Sequence, residues 1–144
     1  MVRPLEACSG VGAVMRKTRL RRRGKGTIKN ALLDALWSRV VRLRGGHRCI
    51  MAGCGHTTQG CHIFPKGSYP SLRHNPENGF AACWYHHLGP KSWHKDPSVQ
   101  RQILDILIAQ RGQAWWDMLQ LRSKLTGTKP DRAAIKLALE RELK

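Results

Sequence analysis

Residues 49–54 read Cys49-Ile50-Met51-Ala52-Gly53-Cys54, and residues 83–87 read Cys83-Trp84-Tyr85-His86-His87. A glycine inside the first loop lets the backbone curl so that both thiolates face one ion. In the second stretch Cys83 and His86 are three apart, so on a helix they share a face. Three thiolates and one imidazole make a closed tetrahedral set, the usual arrangement for structural zinc. The expected Zn2+ ligands are therefore Cys49, Cys54, Cys83 and His86, with His87 as the alternative to His86. Such an ion would staple a segment with too few apolar residues to fold alone. Four of the five cysteines and all seven histidines fall between positions 47 and 97. In a reducing compartment that pattern reads as metal ligation before disulfides.

Outward from this centre the charge is lopsided. The chain has 144 residues, 26 of them Lys or Arg and 9 Asp or Glu, a net charge of +17. The excess is densest in Arg16, Lys17, Arg19, Arg21, Arg22, Arg23 and Lys25. Such a block repels itself and stays solvated until a polyanion neutralises it. Residues 1–26 read as a basic arm that gains from counterion release on nucleic acid. A membrane-surface segment would need an apolar face, which the block lacks. The longest apolar runs fall far short of the roughly 20 residues of a membrane span. The first residues lack the pattern of a secretory leader, so the expected compartment is the cytoplasm.

Residues 27–97 read as a helix followed by the cysteine–histidine segment. Thr27 is placed to cap a helix with Ile28, Leu32, Leu36, Val40 and Leu43 on one stripe, ended by Gly45-Gly46. Knuckles, a short hairpin and one short helix near residues 80–88 follow. Residues 98–144 read as helices: one capped by Ser98 with Val99, Ile103 and Leu107 on one side, a piece carrying Trp115 and Trp116, and a last one opened by Pro130. The tryptophans read as packing or dimer contacts before a base-stacking platform, and Trp93 and His94 as packing residues.

Between the two ligand pairs lie Cys61-His62-Ile63-Phe64-Pro65-Lys66 and Leu72-Arg73-His74-Asn75-Pro76-Glu77-Asn78. The ordered set His62, Asn78 and His87 around a zinc knuckle resembles the HNH, or ββα-metal, nucleases. Their motif is a His on a hairpin strand, an Asn after the loop and a final His in a Cys-x2-Cys-His helix. Here the last triplet is Cys83-x2-His86-His87, with His86 in the place of the second cysteine. Residues 27–122 look like phage-type members, including the NinG (Rap) recombination family. The resemblance implies an α+β fold: a small zinc-stapled ββα-metal core flanked by N-terminal and C-terminal helices.

It also implies roles. His62 would be the general base that takes a proton from water. His87 would ligate a catalytic divalent ion, Mg2+ or Mn2+, and Asn78 would ligate that ion or orient the base. Many members carry an Asp or His ligand immediately before the base, where this chain has Cys61. The NinG pattern has an Asp three before it, where this chain has Gln59. His74 stands where NinG-like sequences carry an aromatic. Cys61, Gln59 and His74 are thus the open choices for a second protein ligand. Lys66 and Arg73 match basic positions of the family and are candidate phosphate clamps.

The expected partner is DNA, held by backbone and shape. By resemblance it is branched DNA such as a four-way (Holliday) junction, cut by a homodimer with two sites in a bacterial host cytoplasm if the chain is phage-encoded. A nicking or packaging nuclease on duplex DNA uses the same residues. A non-catalytic zinc-stapled DNA-binding module would need the knuckle and the arm but not His62, Asn78 or His87. An RNA-binding accessory protein is disfavoured by the 6% aromatic content.

Overall fold

The computed structural model describes residues 27–125, 127 and 129–144, so the basic arm's Arg16, Lys17, Arg19, Arg21, Arg22, Arg23 and Lys25 lie outside the described residues. Among the described residues the fold is α+β: a two-stranded antiparallel sheet and five α-helices. The first helix, α1, spans Asn30–Arg44. A knuckle carrying Cys49 and Cys54 leads to β1, Thr58–His62, and a 16-residue loop returns as β2, Gly79–Cys83. Helix α2, Trp84–Leu88, follows at once; α3 is Pro97–Arg111, α4 is Gln113–Ser123 and α5 is Arg132–Glu142.

The α1 stripe differs from the expected one. Leu33, Leu36, Trp37, Val40 and Val41 are buried, while Leu32 and Leu43 are exposed. The helix begins at Asn30 with Lys29 at its N-cap position and no side-chain cap, so Thr27 does not cap it. Trp37 has the largest apolar surface on this helix, and burying it turns that side toward the hairpin. Two glycines make the approach close. A Cβ at Gly79 would lie 2.5 Å from the Trp37 ring, and one at Gly60 would lie 2.9 Å from it.

β1 and β2 pair with Thr58 opposite Cys83, Cys61 opposite Phe80 and His62 opposite Gly79. The helix expected near residues 80–88 is therefore a strand to Cys83 and a helix only from Trp84. All five residues of β2 are buried, and a short apolar run has no period that separates strand from helix. At α3 the cap is Asp96, not Ser98: its carboxylate accepts from the backbone N–H of Ser98 at 2.9 Å, with Pro97 in the first turn. Gly112, at φ 94°, separates α3 from α4. Asp131 caps α5 through the N–H groups of Ala133 and Ala134.

Ile103, Leu107 and Leu119 share one core with Cys61, Leu72, Phe80, Cys83 and Trp93. The core thus runs across the boundary expected between residues 97 and 98. Leu139 of α5 packs with Leu36, Trp37, Val40 and Val41 of α1. The apolar faces expected to serve a dimer interface are spent in part inside this chain; Met118 and Leu121 stay exposed on α4, and Leu125 just after it. No described helix is long and apolar enough to cross a membrane.

Candidate metal centre and histidine cleft

Cys49, Cys54, Cys83 and His86 converge, with their ligand atoms all within 4.8 Å of one another. Cys54 Sγ lies 3.4 Å from Cys83 Sγ, and His86 Nδ1 lies 3.2 Å from Cys83 Sγ and 3.4 Å from Cys49 Sγ. Zinc bonds of about 2.0 to 2.3 Å imply tetrahedral edges of about 3.3 to 3.8 Å, so these spacings lie at the short end of what one ion takes. These four residues could hold a metal such as zinc. The knuckle is tied to β2 by the Ile50 N–H, which donates to the Ala81 carbonyl at 2.8 Å. Burial pushes the Cys49 thiol up to about 11. At Cys83 burial is outweighed by backbone N–H groups of His86 and Tyr85 and by the neighbouring thiols, which draw it below its ordinary value. Of the two histidines offered for this set, His86 is the one that joins it. The four described cysteines form no disulfide.

His62 sits at the end of β1. Its ring stacks on Trp37, with centroids 3.7 Å apart and planes 8° from parallel. Its Nε2 lies 2.8 Å from the Arg73 carbonyl oxygen. A carbonyl can only accept, so Nε2 carries the proton and Nδ1 keeps a lone pair. Burial holds the His62 pKa below its ordinary value, against the pull of the Arg73 carbonyl. The imidazole is therefore neutral near pH 7. It lines a cleft of about 380 Å3 together with Asp34, Trp37, Lys66, His87 and His94.

Behind His87 and His94, which line the same cleft, lies Cys61, and the three bring their ligand atoms within 4.8 Å of one another. Cys61 is fully buried on β1, and burial raises its thiol well above the ordinary range. His87 is half-buried; burial, with the His94 and His62 rings beside it, brings its pKa down to about 4. His87 Nδ1 donates to Gln59 Oε1 at 2.9 Å, which leaves Nε2 as the lone-pair nitrogen. Gln59 thus meets His87 side chain to side chain, in the position of an outer partner rather than a member of the cluster.

Three sequence-derived assignments need correction. Asn78 is fully buried and its amide is spent on backbone: Oδ1 accepts from Phe64 N at 2.8 Å, and Nδ2 donates to the Phe64 and Leu72 carbonyls at 3.0 and 3.2 Å. It pins the loop between the strands and has no free atom for an ion. His74 does not join His87; its Nε2 donates to Asp34 Oδ1 at 2.8 Å. Arg73 is not a free clamp, because Asp34 takes its Nε and Nη2 at 2.9 and 2.6 Å. Lys66 also reaches Asp34, at 3.2 Å, but half of its side chain stays exposed. The Arg73 guanidinium holds the Asp34 carboxyl well below the usual carboxylate range.

The sequence pointed to none of Asp34, Trp37 and His94 as part of this cleft. His94 returns because the Trp93 N–H donates to the His86 carbonyl at 2.8 Å, folding the loop after α2 back on itself. No spacing rule signals that contact. Trp37 and Asp34 come from a helix more than twenty residues away in sequence, and only packing brings them here. No family model, curated protein or solved structure matches the chain.

Proposed function

We propose that the protein is a metal-dependent DNA endonuclease of the HNH, ββα-metal type, with His62 as its general base. The observation that carries this reading is the state of His62. It is neutral, has its proton fixed on Nε2 by the Arg73 carbonyl, is held flat by Trp37, and shares a cleft with a cluster of metal-capable side chains. A hairpin stapled to a short helix by three cysteines and a histidine gives those side chains a rigid support.

In the reaction, His62 Nδ1 takes a proton from water as the water oxygen forms a bond to phosphorus. The P–O3′ bond breaks, and the 3′ oxygen leaves and takes a proton from solvent water, giving a 5′ phosphate and a 3′ hydroxyl. A divalent cation at the His87 end of the cleft would supply positive charge to the phosphate oxygens and the leaving group. His87 is neutral near pH 7, with Nε2 available to it. Asn78 keeps the base in place indirectly: it clamps Phe64, two residues after His62. Lys66 at the rim offers a point charge to a phosphate.

The charge of +17 supports DNA as the polyanion, bound through its backbone. A four-way junction, a homodimer and a phage recombination role follow from the family resemblance. The test compares cleavage of a four-way junction with cleavage of linear duplex of the same sequence. Each is run with Mg2+, Mn2+ or Zn2+ and with EDTA, beside His62→Ala. Metal-dependent cleavage lost in His62→Ala supports the nuclease. Tight binding of DNA with no cleavage under any of these metals identifies a zinc-stapled binding module instead.

A further inference from the structure

Cys61, His87 and His94 form a second group of donors, separate from the knuckle. The three ligand atoms lie within 4.8 Å of one another. The His87 and His94 rings stand 5.2 Å apart at 42°, so neither blocks the other. Gln59 Oε1 accepts a hydrogen bond from the His87 Nδ1–H, as the outer partner of a metal-bound imidazole does, and this leaves the Nε2 lone pair free for an ion. The two clusters differ in number. The knuckle offers four donors, which closes a tetrahedral site; this one offers three, which leaves a position open. His62, His87 and His94 all line the cleft.

We infer that Cys61, His87 and His94 hold a second metal ion, a late transition metal such as Zn2+ and not Mg2+, with its open position toward the cleft. The choice of ion follows from the donors. Thiolate and imidazole select zinc and its neighbours, whereas magnesium takes oxygen ligands and keeps much of its water. The carboxylate lining the cleft, Asp34, is already held by Arg73, His74 and Lys66. This inference names the ion and its third ligand for the site proposed above, and so it rests on that reading for the ion's role but not for its presence.

The experiment counts metal in the full chain after loading with Zn2+ and exhaustive dialysis. Two zinc ions per chain are expected, falling to one in His94→Ala. His94 is exposed, so this variant should keep the wild-type circular dichroism. Loaded with Co2+, the wild type should show thiolate charge-transfer absorption from two sites, and Cys61→Ser should lose one of them. Millimolar Mg2+ should displace neither ion. One zinc in the wild type, two retained in His94→Ala, or displacement of the second by Mg2+ overturns the inference. Two ions with no DNA cleavage keeps the site and removes the nuclease reading. One zinc with Mg2+-dependent cleavage keeps the nuclease and removes the site.

Discussion

The Trp37 indole lies flat on the His62 imidazole, 3.7 Å away, and it can do so because the residue opposite His62 on β2 is Gly79. A Cβ at Gly79 would fall 2.5 Å from the indole. The ring, the strand partner and the candidate base form one packed unit. Gly79→Ala should therefore push Trp37 off His62 and destabilise the fold by about 1 to 3 kcal/mol, the cost of overpacking. Trp37→Ala should cost about 3 to 5 kcal/mol. Denaturant titration measures both. Trp37→Phe keeps a stacking surface and should retain more activity than Trp37→Ala at matched stability.

His62→Ala should lower cleavage about 10²- to 10⁴-fold and leave DNA affinity within a factor of two. A loss of binding in parallel with cleavage would assign His62 to DNA contact rather than to proton transfer.

The pH dependence follows from the depressed histidines. His62 and His87 lie below their ordinary value when folded, the latter at about 4. Below about pH 6.5 the unfolded chain binds more protons at these sites than the folded one, at His87 down to about pH 4. Their contribution to stability is thus complete above about pH 6.5 and is lost as the pH falls. Cleavage should hold its rate to lower pH than an ordinary imidazole base allows, because burial keeps His62 neutral further down. Thermal melts and single-turnover rates across pH 4 to 8 check both; a rate that halves near pH 7 would contradict the burial of His62.

Asn78→Ala orphans one N–H and two carbonyl groups in a buried loop. The expected cost is about 3 kcal/mol, with the number of bound metal ions unchanged. Loss of one ion without loss of stability would return Asn78 to the ligand set.

Asp34→Asn should release Arg73 and Lys66 from their carboxylate partner. DNA binding should tighten, and the slope of log K against log salt should steepen by about 1 to 2. Fluorescence anisotropy at several salt concentrations reads this directly. An unchanged slope would show that neither cation reaches a phosphate.

Chelation with excess EDTA or phenanthroline should lower the melting point, because an ion held only by the folded knuckle stabilises the folded state. Zn2+ added back should restore it. A melt unaffected by complete removal of zinc would mean that the thiols pack without an ion.

The sequence was enough for the cysteine–histidine cluster that could hold zinc, and the reason is local. Cys49 and Cys54 sit in one tight loop, and Cys83 and His86 are a turn apart, so spacing alone brings each pair together. It was likewise enough for the presence of the helices of the C-terminal part, but their caps are Asp96 and Asp131 where Ser98 and Pro130 were expected to open them. It was right for Leu36 and Val40 of α1 but not for Leu32 and Leu43, because Trp37 sets the orientation through what it packs on and not through its period. The roles of Asn78, Arg73 and His74 were decided by tertiary contacts: each side chain met a buried backbone group or Asp34 before it could meet an ion or a phosphate. His94 joined the cleft through a loop that folds back by one backbone hydrogen bond. Motif spacing reports which donors a turn of chain can gather. Which of them stay free is settled by the partners that folding brings from elsewhere, since a buried polar group must be satisfied by whatever lies within reach.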